Sequence, residues 1–357
     1  MAKNVVVHFQ RERQNSAILI GTSLSAAARD IRRRFPDSNL FIITDSHVAP
    51  LYGRQFAKQL GVNRAKIIVV PAGEKSKTRA VKERVEDRLL RLHADRQCCV
   101  IALGGGMIGD LAGFVASTLF RGVSFIQIPT TLLAQVDSSI GGKVAVDHPL
   151  GKNLLGTFYQ PCRVYIDVTT LRTLPDRQLR NGIAEVIKYG AILDRDLFSY
   201  VDRNEQRILR RDPAVLSAII VRCLKLKKRI VEQDERESGL RRILNFGHTI
   251  GHALELLSDY ALLHGEAIAL GMLTEAKISV SLCNLHPVDV WRLWIVLRKF
   301  GLPTEFPHAI SLKKIEETLS YDKKSRNGVP NFTLVKSIGN ARVGIPVGLD
   351  EITDSIR

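Results

Sequence analysis

The chain has 357 residues, 45% of them hydrophobic, with 52 lysines and arginines against 36 acidic residues and a formal charge of +16. That length is enough for a large core and two domains, and the composition is globular rather than fibrous or disordered. The basic residues are scattered through helical segments such as Arg32-Arg33-Arg34, Arg210-Arg211 and Lys225 to Arg229, without interleaved aromatics or a basic tail. Nucleic-acid binding is therefore set aside, and the charge is read as steering for small anions.

Five cysteines, Cys98, Cys99, Cys162, Cys223 and Cys283, include no C-x-x-C, which suits a reducing compartment. The opening MAKNVVVHFQRERQ lacks an apolar core followed by a small-residue cleavage site, and no charge-free apolar run reaches bilayer length. A soluble, cytoplasmic protein with no membrane partner is expected.

In chain order, residues 4–9 and 17–21 read as opening strands, followed by a helix over Leu24 to Phe35 and a buried strand over Leu40 to Asp45. A carboxylate at the end of such a strand can accept from ribose hydroxyls, or simply cap the turn. A helix over Leu51 to Leu60 and a strand over Lys66 to Val70 lead to Pro71-Ala72-Gly73-Glu74-Lys75-Ser76-Lys77. The apolar run Cys98 to Leu103 is broken by Gly104, Gly105 and Gly106, with Gly109 and Asp110 at a helix start. A strand, a glycine turn and a helix N-terminus together bring backbone N–H groups to an anion with no Cβ in the way.

A strand over Val123 to Ile128 precedes Pro129-Thr130-Thr131, Asp137, Gly141-Gly142-Lys143 and Gly151-Lys152-Asn153, two lysines in glycine settings suited to an anionic ligand. Alternating strands and helices imply a parallel sheet, although the glycine turn is not on the first strand and no acid follows it by about twenty residues, unlike the ordinary dinucleotide fold.

From Pro175 the pattern turns helical: Asp176 to Leu193, Asp196 to Val201, Pro213 to Arg229, Thr249 to Ser258, Gly265 to Leu282 and Val288 to Phe300. Asn331 to Val335 and Ala341 to Ile345 suggest a hairpin before a terminal helix. The expected class is an α/β N-terminal nucleotide-binding domain with a parallel sheet, residues 1–160, plus a mainly α-helical C-terminal metal-binding domain, residues 161–357. His248 and His252 stand at i and i+4 on one helical face, with His264 beyond and Glu185 one turn before Lys188. Three N or O donors with a position left open is the pattern of a catalytic zinc site.

GGGMIGDLAGFVAS, RGVSFIQIPTTLLAQVDSSIGGKVAVDHPLGKN, GIAEVIKYG, EQDERESGLRRILNFGHTIGHALE, HGEAIALGM and YDKK, in this order along the chain, resemble the 3-dehydroquinate synthase family. The resemblance implies NAD held by Asp45, Glu74, Lys77, Gly105, Gly106, Asp110, Thr130, Thr131, Thr170 and Thr173, with Lys143 and Lys152 nearby. It implies zinc, or cobalt in its place, on Glu185, His248 and His264. Lys143, Asn153, Arg241, Asn245, His252 and Lys323 would grip a phosphorylated sugar acid, Arg121 would reach the phosphate in the neighbouring subunit of a homodimer, and Asp137, Lys152, Lys188 and Lys227 would surround the ring hydroxyls.

The implied reaction turns 3-deoxy-D-arabino-heptulosonate 7-phosphate into 3-dehydroquinate and phosphate. Related cyclases whose substrates lack a carboxylate depart around GGK and HPLGKN, both kept here. A zinc-dependent polyol or glycerol-phosphate dehydrogenase and a non-catalytic nucleotide-binding protein are the competing classes. Val144, Asp147 and His47 depart from the family pattern of Thr, Asn and Asn, and altered Michaelis constants are expected from them.

Overall fold

A computed structural model describes residues 15–307, 314–315, 317–318 and 330–356. The strand expected at 4–9 and the YDKK segment, with Lys323, lie outside the described residues.

Six parallel strands form the first layer: β1 (Ala17–Ile20), β2 (Leu40–Asp45), β3 (Ile67–Val70), β4 (Cys99–Gly104), β5 (Ser124–Pro129) and, further along the chain, β8 (Arg163–Ile166), in the order β1-β8-β5-β4-β2-β3. Helices α1 (Leu24–Arg34), α2 (Arg54–Leu60), α3 (Arg79–Arg91) and α4 (Gly106–Thr118) cover both faces. Side chains alternate along a strand, so β2 and β4 divide their residues. Leu40, Ile42, Cys99 and Ile101 pack with α1 and α2, while Phe41, Ile43, Val100 and Ala102 pack with α3 and α4. Burial on both faces explains why these strands read as unbroken apolar runs.

Between β5 and β8 the chain leaves the sheet as an antiparallel hairpin, β6 (Lys143–His148) and β7 (Gly151–Phe158), that the sequence reading took only as glycine-flanked lysines. Val144 on β6 is 1% exposed. It lies over α4 so closely that a Cβ on Gly113 would sit 2.4 Å from its Cγ1. Because β8 returns to the sheet, the α/β layer runs past residue 160, beyond the boundary expected from the sequence.

The second layer is helical: α5 (Asp176–Leu193), α6 (Arg195–Arg203), α7 (Glu205–Leu209), α8 (Pro213–Gln233), α9 (His248–Leu257), α10 (His264–Cys283) and α11 (Pro287–Lys299). A hairpin of β9 (Asn331–Ser337) and β10 (Asn340–Pro346) precedes α12 (Leu349–Ile356). Buried α5 carries Glu185 and Lys188 into the interior. Among the described residues no helix is long and apolar enough to cross a membrane.

The placement of Val144 revises the expectation that its missing hydroxyl weakens substrate affinity, because the side chain faces the core and not the open side where Lys143 points. Val144→Thr should cost about 1–3 kcal/mol in stability by burying a hydroxyl, with KM unchanged. Denaturant melts and steady-state kinetics on the same preparation check this; an unchanged midpoint with a shifted KM would overturn it.

Candidate metal and nucleotide site

Glu185 from α5 and two histidines at the first residues of α9 and α10 meet in the helical layer. Their ligand atoms all lie within 4.8 Å of one another. Local backbone fixes the two helix starts. Gly247 caps α9 at φ 78°, a left-handed conformation that glycine adopts without strain, and its N–H donates to buried Glu275 Oε2 at 2.6 Å. A Cβ on Gly271 would stand 2.0 Å from the Gly247 oxygen, so α9 and α10 cross here only because glycine is at the crossing. At α10, Leu263 N–H donates to Glu266 at 2.8 Å and Gly265 N–H to Asn181 at 2.5 Å.

His264 Nε2 and His248 Nε2 lie 3.1 and 3.3 Å from Glu185 Oε1. His248 Nδ1 is 3.1 Å from the Phe246 carbonyl, which can only accept, so Nδ1 carries the proton and the Nε2 lone pair faces Glu185. Glu185 is fully buried, and its Oε2 lies 2.7 Å from Lys188 Nζ without an aligned hydrogen bond. Lys188 instead donates to the Leu244 carbonyl at 2.8 Å. Two imidazole nitrogens and a carboxylate with an orphaned oxygen fit a divalent ion of the zinc or cobalt type.

His252, Glu255 and His264 also converge, but Lys152 Nζ already lies 2.8 Å from Glu255 Oε1, so a cation is better received by the first trio. Burial pulls His248 down; for His264, Glu255 and Glu185 outweigh burial and raise its pKa to about 9. Glu185 is held well below the usual carboxylate range, where Lys188 and both histidines overcome its burial.

On the sheet side, Asp45, Gly104 and Pro129 end β2, β4 and β5. Gly105 caps α4, and a Cβ there would press on the Thr131 side chain at 3.0 Å, so glycine lets this turn pack closely against the segment after β5. Thr130 Oγ1 is buried without a hydrogen-bond partner, and Thr131 Oγ1 accepts from Ala134 N–H at 3.2 Å. Asp45 Oδ1 accepts from His47 N–H at 2.8 Å and Val48 N–H at 2.9 Å. It caps its turn, and since His47 contributes only backbone there, nothing in the structure ties its side chain to a weakened contact.

Lys77 pairs with Asp110 at 2.6 Å and faces Glu74 at 3.6 Å. It also donates to Asn153 Oδ1 at 2.5 Å, and despite burial its pKa is raised, Asp110 and Glu74 outweighing the loss of solvent. Buried Thr170 accepts from Gln135 Nε2 at 3.1 Å, and exposed Thr173 meets Tyr52 OH at 2.5 Å.

Asp137 forms a third cluster. Lys227 Nζ donates to its Oδ1 at 2.7 Å and Tyr189 OH at 2.5 Å. Burial would raise its pKa, but Lys227 and Lys188 hold it at about 2. Arg241 is 2% exposed and gives both terminal nitrogens to the Gly141 carbonyl at 3.1 Å, so its fork is engaged with backbone rather than held open. Asn245 donates to Glu237 at 2.7 Å, and half-exposed Lys143 pairs with the same carboxylate. Exposed His252 stands 5.2 Å from the His248 ring. Arg121 stands apart, exposed on a turn where Phe120, Arg121 and Gly122 have φ of 50°, 68° and 123°. Asp147 Oδ1 accepts from Asn153 N–H at 2.8 Å, which makes it a brace of the hairpin.

Glu255, Glu237 and Tyr189 were not singled out from the sequence. The first had a signal, because Glu255 falls seven residues after His248 and three after His252, on the same helical face.

Known proteins resemble this chain along most of its length. Residues 67–181 match the family model "3-dehydroquinate synthase N-terminal" and residues 182–325 match "3-dehydroquinate synthase C-terminal". A 3-dehydroquinate synthase from Pelobacter propionicus is 47% identical over 335 residues, 93% of either chain. Among solved structures, 2-epi-5-epi-valiolone synthase from Streptomyces hygroscopicus subsp. jinggangensis 5008, with NAD+ and Zn2+ bound, aligns with a TM-score of 0.89 at 27% identity over 98% of each chain. A 2-deoxy-scyllo-inosose synthase complexed with carbaglucose-6-phosphate, NAD+ and Co2+ aligns with a TM-score of 0.85 at 31% identity over 96% of each.

A metal ion must displace the His264 proton. Below the imidazole's value of about 9, uptake should release about one proton, so affinity should climb about tenfold per pH unit and level off above it. Chelator-competition titrations at pH 6.5, 7.5 and 8.5 measure the slope; a flat profile would exclude His264 as a ligand.

Proposed function

Because the chain belongs to the 3-dehydroquinate synthase family, we propose that it converts 3-deoxy-D-arabino-heptulosonate 7-phosphate to 3-dehydroquinate and phosphate. The supporting observation is that the three-donor centre is joined to the glycine turn by an unbroken row of ion pairs, Asp110, Lys77, Glu74, Lys152, Glu255 and His264. One substrate spanning that row would reach both the residues that would hold the metal and the glycine turn that would hold the nucleotide.

Asp45, Glu74, Lys77, Gly105, Gly106, Asp110, Thr130, Thr131, Thr170 and Thr173 would hold NAD, which would supply a hydride acceptor. Glu185, His248 and His264 would hold a divalent ion of the zinc type, which would supply Lewis acidity to the substrate hydroxyls. Asp137, kept ionised by Lys227, accepts a hydrogen bond from a ring hydroxyl and fixes its orientation. Lys188 and Lys152 bring positive charge to oxygens that become more negative as protons leave.

Arg241, exchanging the Gly141 carbonyl for the substrate carboxylate, fixes one end of the sugar with Lys143 and Asn245. Asn153, His252 and Lys323 hold the phosphate so that its own oxygen collects the proton during elimination, which makes placement matter more than a strong protein base. Enclosure by the hairpin keeps water from the open-chain intermediate before the aldol closure. The nucleotide half ends after β8 and the helical half begins near Pro175. The protein works in the cytoplasm as a homodimer, Arg121 reaching the partner's phosphate site from its strained turn.

Phosphate release with NAD below the enzyme's substrate turnover is the direct test. More phosphate than NAD, no NADH accumulating, loss on chelation and return with zinc are expected; one NADH per substrate would identify a dehydrogenase instead. A second test addresses the dimer. Mixing Arg121→Ala with Glu185→Ala should restore about a quarter of wild-type activity through hybrid dimers with one complete site, whereas no recovery would place Arg121 in its own chain's site.

A further inference from the structure

Glu255 is 2% exposed on α9, and its two oxygens serve two different parts of the molecule. Oε2 lies 3.3 Å from His264 Nδ1, the ring nitrogen opposite the one that faces Glu185. Oε1 accepts from Lys152 Nζ at 2.8 Å. Lys152 is on β7, in a two-stranded hairpin that among the described residues joins no larger sheet and makes one bridge, Asp147 to Thr78. Its ammonium also faces Glu74 at 3.4 Å and the Tyr260 ring at 5.2 Å. The hairpin is also fastened to the segment after β3, where Asp147 N–H donates to the Lys77 carbonyl at 2.8 Å and Lys77 Nζ donates to Asn153 Oδ1, to α4 through Val144, and to Glu237 through Lys143.

We propose that Glu255 is a positioning residue that couples metal binding in the helical half to the seating of the β6–β7 hairpin over the nucleotide side. A carboxylate on the rear nitrogen of a ligating histidine fixes the tautomer and the ring direction, leaving the front nitrogen's lone pair aimed at the metal. Here the same carboxylate holds Lys152, so a His264 ring locked by the ion holds Glu255, and Glu255 holds the hairpin. A linkage of this kind is reciprocal, so a seated hairpin also strengthens metal binding. The inference rests on the metal reading of Glu185, His248 and His264 and goes beyond it, since neither Glu255 nor the hairpin supplies a ligand to that trio.

Hydrogen exchange on the full-length wild-type chain, with and without zinc, tests the coupling without any substitution. Zinc should slow exchange of the amides of Lys143–Phe158 at least several-fold, although no ligand lies there. Glu255→Gln keeps the shape but leaves one carbonyl oxygen for two partners. It should bind zinc about 10–100-fold more weakly in chelator competition and, once saturated with zinc, show no added hairpin protection. Thermal melts establish that the variant is folded.

Wild-type protein that binds zinc with no change in hairpin exchange overturns the proposal, as does Glu255→Gln with wild-type affinity and protection. Wild-type protein that takes up no zinc would instead remove the metal reading beneath it.

Discussion

Eight side chains form a row of alternating charge through the middle of the molecule: Asp110, Lys77, Glu74, Lys152, Glu255, His264, Glu185 and Lys188, each within 3.6 Å of the next. Taking ions from water is expensive, and a single buried pair rarely repays it. Alternation changes the balance because every interior member faces opposite charge on both sides, in a medium where attraction is stronger than in water. Removing one member strands two neighbours. The row is therefore a constraint on the whole fold, fixing how α5, α9 and α10 sit against the hairpin and the glycine turn.

The row also sets the kind of ligand the cleft accepts. Without a metal it carries four carboxylates against three ammonium groups and an imidazolium raised to about 9. A divalent ion in place of one proton leaves an excess positive charge in a buried place. A substrate bearing phosphate and carboxylate offsets that excess, and the chain's +16 net charge steers such anions inward from a distance. A divalent ion on the trio and an anionic ligand in the cleft would thus favour one another on electrostatic grounds before any shape is considered.

Much of the fold was legible because buried parallel strands and amphipathic helices leave strong periodic signals; Leu40–Asp45 and Asp176–Leu193 are read directly. The β6–β7 hairpin was not, since its glycines and lysines obscure the alternation of Val144 and Val146, and its inward face exists only because α4 offers Gly113. At the site, helical spacing paired His248 with His252, whereas the trio joins His248 to Glu185 and His264 across three helices, a partnership periodicity cannot express. Glu255 shows in sequence only its place on the face of His248 and His252, while Glu237 looks like a carboxylate of a solvated surface and Tyr189 like an ordinary core aromatic. What distinguishes them is a partner brought from far along the chain: His264 and Lys152, Lys143, and Asp137.

The three departures from the family pattern separate once each side chain is placed. Val144 belongs to the core and His47 gives only its backbone N–H to Asp45, so neither bears directly on substrate. Asp147 is different. An asparagine would accept the same Asn153 N–H through its side-chain oxygen, so the hairpin brace would survive, and only the charge would change. That charge lies near Lys77, which already faces Asp110 and Glu74, and burial raises the Asp147 carboxyl. Three carboxylates drawing on one ammonium lower the positive potential at Asn153, whose Oδ1 accepts from Lys77, which makes Asp147 the one departure whose electrostatics reach a residue proposed to hold the phosphate.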